Sequence, residues 1–258
     1  MMDFHNVLIE VSLVILLFMT AVFIVSVMRK DNSVADIAWG TGFIIIGFYT
    51  LMQSGVIDLR KIIVNLLVLI WGLRLSIHIL NRNKGKEEDF RYKAWRDSWR
   101  YFYLRSYLQV YMLQGLIMMI VSAPVWFINS SEGGPLGAWD SIGLILFGAG
   151  FLLEAFADYQ LSAFKADPAN KGKIMTLGVW AVSRHPNHFG EALVWWGIGF
   201  YTLSFPYGWA TLAGPVVITL MLRFVSGVPM LEKRYAGRPD WEAYKAKTAP
   251  FVPFVKFL

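Results

Sequence analysis

Ser183-Arg184-His185-Pro186-Asn187-His188-Phe189-Gly190-Glu191 runs straight into an apolar stretch that contains Trp195 and Trp196. Pro186 suits the first turn of a helix, where its missing N–H is not needed. Asn187 and Glu191 are four apart and share one helical face. Polar groups are costly in hydrocarbon and tend to be functional where they occur there. Whether this run opens a membrane span decides the architecture: with it the chain has seven apolar segments, without it six. We read it as the edge of a binding site sunk into a membrane.

The composition agrees. The chain has 258 residues, 56% hydrophobic and 16% charged, with a mean hydropathy of +0.49. A soluble domain carries more charge and fewer apolar residues. Eleven Trp, eleven Tyr and nineteen Phe fit aromatic belts at two membrane interfaces. With no cysteine, disulfides, thiolate nucleophiles and cysteine zinc sites are excluded. The net charge of +6 lies between apolar runs, which is a membrane pattern and not a nucleic-acid one. No Lys or Arg precedes the first apolar run, which argues against a cleaved signal peptide. No internal repeat or linker divides the chain, so we expect one membrane domain over residues 1–258.

The seven apolar segments fall at about 7–28, 34–53, 62–79, 107–128, 139–157, 189–203 and 209–225. Each is near the roughly 20 residues of a spanning helix. The charges orient them. Arg29 and Lys30, eight cations from Arg82 to Arg105, then Lys165, Lys171, Lys173 and Arg184, and seven from Arg223 to Lys256 all fall on one side. The other side has Arg60 and Lys61. The positive-inside rule then predicts an all-α integral membrane protein of seven transmembrane helices, N-terminus outside and C-terminus cytoplasmic. A bacterial inner membrane suits it. Cytoplasmic segments 81–106, 159–188 and 224–258 form a basic lid, either for an anionic ligand or for anionic lipid heads.

Ionisable residues in membrane helices usually face the bundle interior. On the third span Trp71, Arg74, His78 and Asn81 follow a three-to-four spacing and make one polar stripe. Glu154 and Asp158 are four apart on the fifth, Asn187 and Glu191 on the sixth, Arg223 lies near the end of the seventh, and the second has Asp36 with Trp39. Internal pairing, for example Arg74 with Glu191 or Asp158, accounts for one such group; five helices with polar residues point to a ligand site. No dinucleotide fingerprint, P-loop, hydrolase elbow or zinc-protease motif occurs. His185 and His188 lack a third ligand, so no metal is expected, and His185 reads as a donor to an anion. Met112, Met118 and Met119 read as packing.

Residues 183–191 resemble the membrane steroid 5-alpha-reductase superfamily. Trp71-Gly72-Leu73-Arg74 with Asn81-Arg82, Glu88-Asp89-Phe90-Arg91-Tyr92, Glu154 with Asp158-Tyr159, and Met230-Leu231-Glu232 with Tyr235, Tyr244 and Pro250-Phe251-Val252-Pro253-Phe254 agree in order and approximate spacing. The resemblance covers most of the chain from the second span onward. It implies a seven-helix enzyme that uses NADPH to reduce a carbon–carbon double bond conjugated to a ketone, on a lipophilic substrate arriving from the bilayer. It further implies that Glu154 and Asp158 contact the adenosine portion, Lys165 and Lys173 the phosphates, and Asn187 and Glu191 the nicotinamide side. Arg74, Asn81 and Arg223 match further polar positions near the cofactor, Arg184 and His185 would face the phosphates or the lid, and Arg91 is a further phosphate candidate.

The substrate end departs from that family. Its Gln-Glu pair on the second helix corresponds to Ala35-Asp36 here, and its Tyr on the third to Trp71. A desolvated, protonated Asp36 would donate to the ketone oxygen; Trp71 offers only its indole N–H. Asp36 reads equally as a salt-bridge partner of Arg74 or as an interfacial helix-start residue. Partners other than a lipophilic small molecule and membrane lipid are not expected. The rival reading is an S-adenosylmethionine-dependent membrane methyltransferase of the isoprenylcysteine type, which shares Arg184-His185-Pro186 and the Glu…Tyr…Tyr…Pro ending; a lipid-binding or transport protein is the non-enzyme reading.

Overall fold

Long apolar runs satisfy their backbone groups only by closing helical hydrogen bonds within the segment, and the chain does so. The computed structural model describes residues 4–255; Lys256 and the last residues of the 224–258 segment lie outside the described residues. Among the described residues there is no β-strand, only one isolated parallel bridge between Ser183 and Ala249. Six stretches are long and apolar enough to cross a membrane: Asn6–Arg29, Val34–Gln53, Leu59–Asn83, Phe102–Val121, Ala138–Ala166 and Gly208–Lys233. The protein is an all-α, multi-pass membrane protein.

The chain folds as two compact units, Met1–Gly137 with Tyr201–Gly214, and Ala138–Phe200 with Pro215–Leu258. The first contains α1 (Phe4–Arg29), α2 (Val34–Gln53), α3 (Leu59–Asn83), α4 (Phe90–Ser98), α5 (Phe102–Ser106), α6 (Leu113–Val121) and α7 (Ala123–Ser130). Its core seam is the α2–α3 pair. A Cβ on Gly40 would lie 2.5 Å from the Gly72 carbonyl oxygen, so the two backbones touch there, as small residues permit in membranes. A buried amide fastens the far end: Asn129 Nδ2 donates to Thr50 Oγ1 at 2.8 Å, and Asn65 Nδ2 donates to Asn129 Oδ1 at 2.8 Å. Arg60 and Lys61 are buried at the start of α3, donating to the carbonyls of Pro135 and Val56 at 2.7 Å each.

The fourth apolar segment is not one helix. A π-helical stretch, Tyr107–Met112, joins α5 to α6, and the chain breaks at Ser122 before Pro124 starts α7. Pro suits a first turn and cannot sit mid-helix without loss of a hydrogen bond.

The second unit is built on α8 (Ala138–Ala166) and α9 (Pro186–Phe200). α8 continues well past the apolar limit at residue 157. α9 has 15 residues and runs on as a 3-10 turn, Tyr201–Ser204; it is not among the six membrane-capable stretches. After α10 (Ala213–Leu220) and a π turn, Met221–Val225, come the short α11 (Val228–Lys233) and α12 (Pro239–Lys247).

Candidate functional site

In the second unit α8 and α9 meet at their backbones. A Cβ on Gly190 would lie 2.7 Å from both the Gly150 carbonyl oxygen and the Glu154 nitrogen. Only glycine fits, and the contact sets Glu154 and Asp158 on α8 against the first turns of α9. Glu154 and Asp158 are 2% and 7% exposed, and Glu191 is also buried. Asn187 Nδ2 donates to Asp158 Oδ1 at 3.1 Å. Asn187 Oδ1 is buried and accepts no hydrogen bond among the described residues. Three carboxylates and a half-satisfied amide on facing helices offer acceptors to a ligand bearing hydroxyl or N–H groups.

Beside them residues 183–185 are tied to the C-terminal segment. Arg184 Nε donates to Glu232 Oε1 at 2.8 Å, and its Nη1 donates to the carbonyls of Thr248 at 2.6 Å and Lys245 at 3.1 Å. His185 Nε2 lies 3.3 Å from the same Glu232 oxygen, and its ring stacks on His188 with centroids 5.4 Å apart. Ser183 Oγ donates to the Phe251 carbonyl at 2.7 Å, and Tyr244 donates to the Trp180 carbonyl. Burial, the larger influence, pushes His185 below the ordinary imidazole range; Glu232 opposes it. Burial also pushes the Tyr244 phenol up.

A cavity of about 430 Å³ opens here, lined by Arg184, Arg223, Glu232, Lys245, Thr248 and Pro250 among others. Three cations against one carboxylate make it an anion-favouring space. Arg223 Nε is buried and donates to nothing among the described residues, while its guanidinium lies 4.8 Å from the Phe224 ring centroid. Lys165 and Lys173 are exposed. No group of His, Asp and Glu able to hold a metal occurs among the described residues.

The first unit holds a second polar cluster. Asp36, in the first turn of α2, accepts from Arg91 Nη2 at 2.5 Å on one oxygen and from Tyr92 Oη at 2.6 Å on the other. The salt-bridge partner is therefore Arg91, not Arg74, and in this arrangement both Asp36 oxygens act as acceptors. Asp89 caps α4 and takes Arg91 Nε at 2.8 Å. Glu88 holds Arg96 through both oxygens at 2.8 Å and accepts from the Asn32 backbone N–H at 2.8 Å. Asp89 N donates to Ser33 Oγ at 2.8 Å, and Asn32 Nδ2 to Ser106 Oγ at 3.0 Å. Burial, then Asp36, drive the Tyr92 phenol well above its ordinary range. Burial alone would raise Asp89, but the Arg91 contacts outweigh it and hold the carboxyl low.

The third-helix stripe divides along its length. Trp71 is fully buried against Phe43, with centroids 5.6 Å apart; Arg74 and His78 are half-buried; Asn81 is exposed. The structure thus gathers Glu154, Asp158, Asn187 and Glu191 on α8 and α9, and Arg184, His185 and Arg223 around Glu232. It leaves Lys165, Lys173 and Asn81 at the surface. Sequence reasoning assigned no role to Glu232, Tyr92 or Glu88. The available signal was charge balance: the acids of residues 87–89 come just before the short helix that carries Arg91 and Arg96, and Glu232 is the first of three acids within the basic ending.

A family model described as a protein of unknown function (DUF1295) matches residues 22–248. An uncharacterized protein of Schizosaccharomyces pombe is 28% identical, the alignment covering 89% of this chain and 74% of that protein. Both clusters fall inside the matched region.

Proposed function

The chain belongs to the DUF1295 family, and from that premise we propose that it is an NADPH-dependent reductase of the carbon–carbon double bond of a lipophilic enone, such as a 3-oxo-Δ4 steroid. The observation that carries this reading is the α8–α9 seam, where Glu154, Asp158, Asn187 and Glu191 converge with one buried amide oxygen left without a donor. Those groups fit the cofactor: carboxylates accept from ribose hydroxyls, and Asn187 Oδ1 accepts an N–H such as that of a carboxamide. Arg223 and Lys245 bring the charge that phosphates need. NADPH, when bound, supplies the hydride that adds to the β-carbon of the enone. The chain's part is to orient it, exclude water and stabilise the enolate oxygen as charge develops. Asp36 and Tyr92 are a candidate donor group within the first unit, and Asp36→Asn and Tyr92→Phe test each of them by NADPH consumption.

On this reading the membrane domain has seven spans, α9 being the sixth, with the N-terminus outside, the C-terminus cytoplasmic, and the host membrane a bacterial inner membrane. The second reading is methyl transfer from S-adenosylmethionine, favoured by Arg184 and His185 meeting Glu232 in one cluster. Thermal unfolding of the detergent-purified protein discriminates. A specific ligand at 100 times its Kd stabilises by about 2.7 kcal/mol. We expect that shift with NADPH and its loss in Asn187→Ala. A shift with S-adenosylmethionine and none with NADPH overturns the proposal. NADPH consumption with progesterone then tests turnover.

A further inference from the structure

The stretch from α4 into the Phe102–Val121 helix carries exposed positive charge that its acids do not neutralise. Those acids are already engaged: Glu87 with Lys93 at 3.1 Å, Glu88 with Arg96 at 2.8 Å, and Asp89 with Arg91 at 2.8 Å. Asp97 alone remains against Arg100 and Arg105. Both arginines are exposed, and neither meets a carboxylate among the described residues. Each lies over an aromatic ring instead, Arg100 over Tyr101 at 5.2 Å and Arg105 over Trp99 at 5.7 Å. Trp99 stacks flat on Trp95, with centroids 5.2 Å apart and planes 6° apart. Tyr101, Tyr103 and Leu104 are at least half exposed alongside.

We propose that this surface docks anionic phospholipid headgroups of the bilayer. Three features together select that occupant. The segment is continuous with a membrane-capable helix, so residues 99–105 lie at that helix's polar end. Tyr and Trp favour the headgroup level, where an apolar body and a polar tip are both satisfied. Unpaired guanidinium groups match the phosphodiester in charge and fork geometry. Arg223 and Lys245, the cations given to cofactor phosphates, belong to the other unit, and Arg91 is held by Asp36 and Asp89, so this inference, which uses Arg100 and Arg105, stands apart from the reductase reading.

Native mass spectrometry of the full-length protein in detergent, titrated with phosphatidylglycerol or phosphatidylcholine, tests it. Phosphatidylglycerol is expected to bind more tightly and to weaken as salt is raised. Arg100→Gln with Arg105→Gln is expected to cost about fivefold per arginine, the factor that ~1 kcal/mol per cation represents. Lys171→Gln with Lys247→Gln, an equal charge loss in the other unit, should leave binding unchanged. Equal binding of the two lipids, equal loss in both double variants, or wild-type binding indifferent to salt overturns the proposal. Displacement of phosphatidylglycerol by millimolar inorganic phosphate or NADPH also overturns it, by showing a site for soluble phosphate. The wild-type salt and lipid comparisons decide the matter even if the arginine variant folds poorly.

Discussion

Asp36→Asn leaves the Arg91 Nη2 side facing a neutral amide, with Asp89 the remaining carboxylate on Nε. The pair is mostly enclosed, with side chains 23% and 15% exposed. We expect a loss of about 2–3 kcal/mol, somewhat below that of a fully buried pair, and about 1 kcal/mol for Tyr92→Phe; chemical unfolding in detergent measures both. The pairing was hard to foresee because Arg91 lies 55 residues beyond Asp36 in the chain. Arg74, on the neighbouring helix, was the nearer candidate by sequence pattern. Titration gives two further outcomes. His185 is driven neutral in the fold, while the unfolded chain takes up a proton below about pH 6.5. Its contribution is complete above that pH and declines as pH falls through it, so His185→Gln should flatten the acid side of a melting-temperature profile from pH 8 to 5. Tyr92 has the opposite sign: its phenol is raised, so stability is complete below about pH 10 and falls above it, and Tyr92→Phe should remove that alkaline loss.

Among the elements, the α8–α9 seam tolerates nothing larger than glycine. Gly190→Ala forces a Cβ within 2.7 Å of backbone atoms of Gly150 and Glu154, which cannot yield as a side chain would. We expect about 1–3 kcal/mol of destabilisation from overpacking and, with it, loss of any ligand-induced shift at Asn187. Gly148→Ala, with nothing within 4 Å of the new methyl, should instead gain up to about 1 kcal/mol from helix propensity. Hydropathy located the helices well and their ends less well. Gln160, Ser162 and Lys165 are polar yet helical, so α8 outlasts its apolar run. Residues 107–128 look unbroken by hydropathy but divide at Ser122, where Pro124 was the legible sign. The polar start at residues 183–191 was legible as a helix start beside a site. Its attachment to residues 245–251 was not, because backbone carbonyls carry no sequence signal.

For the whole molecule, the absence of cysteine makes single-cysteine labelling across the membrane clean. The seven-span reading expects Lys86→Cys, Lys171→Cys and Lys247→Cys to react from one side, and Gly55→Cys and Glu132→Cys from the other. If α9 does not cross, Lys247→Cys reacts from the side opposite Lys171→Cys, and the proposed orientation fails. The Arg184 ties have a consequence for biosynthesis. The guanidinium is buried, yet the carbonyls it donates to lie 61 and 64 residues further along the chain. A ribosome that has just released α9 has not yet made those acceptors. The seam can assemble early, but the latch beside it closes only after residues 245–248 have been made. A chain truncated before residue 245 would keep the Glu232 pairing but leave the buried Arg184 Nη1 without its carbonyl acceptors, a defect that cellular proteolysis can read as incompleteness.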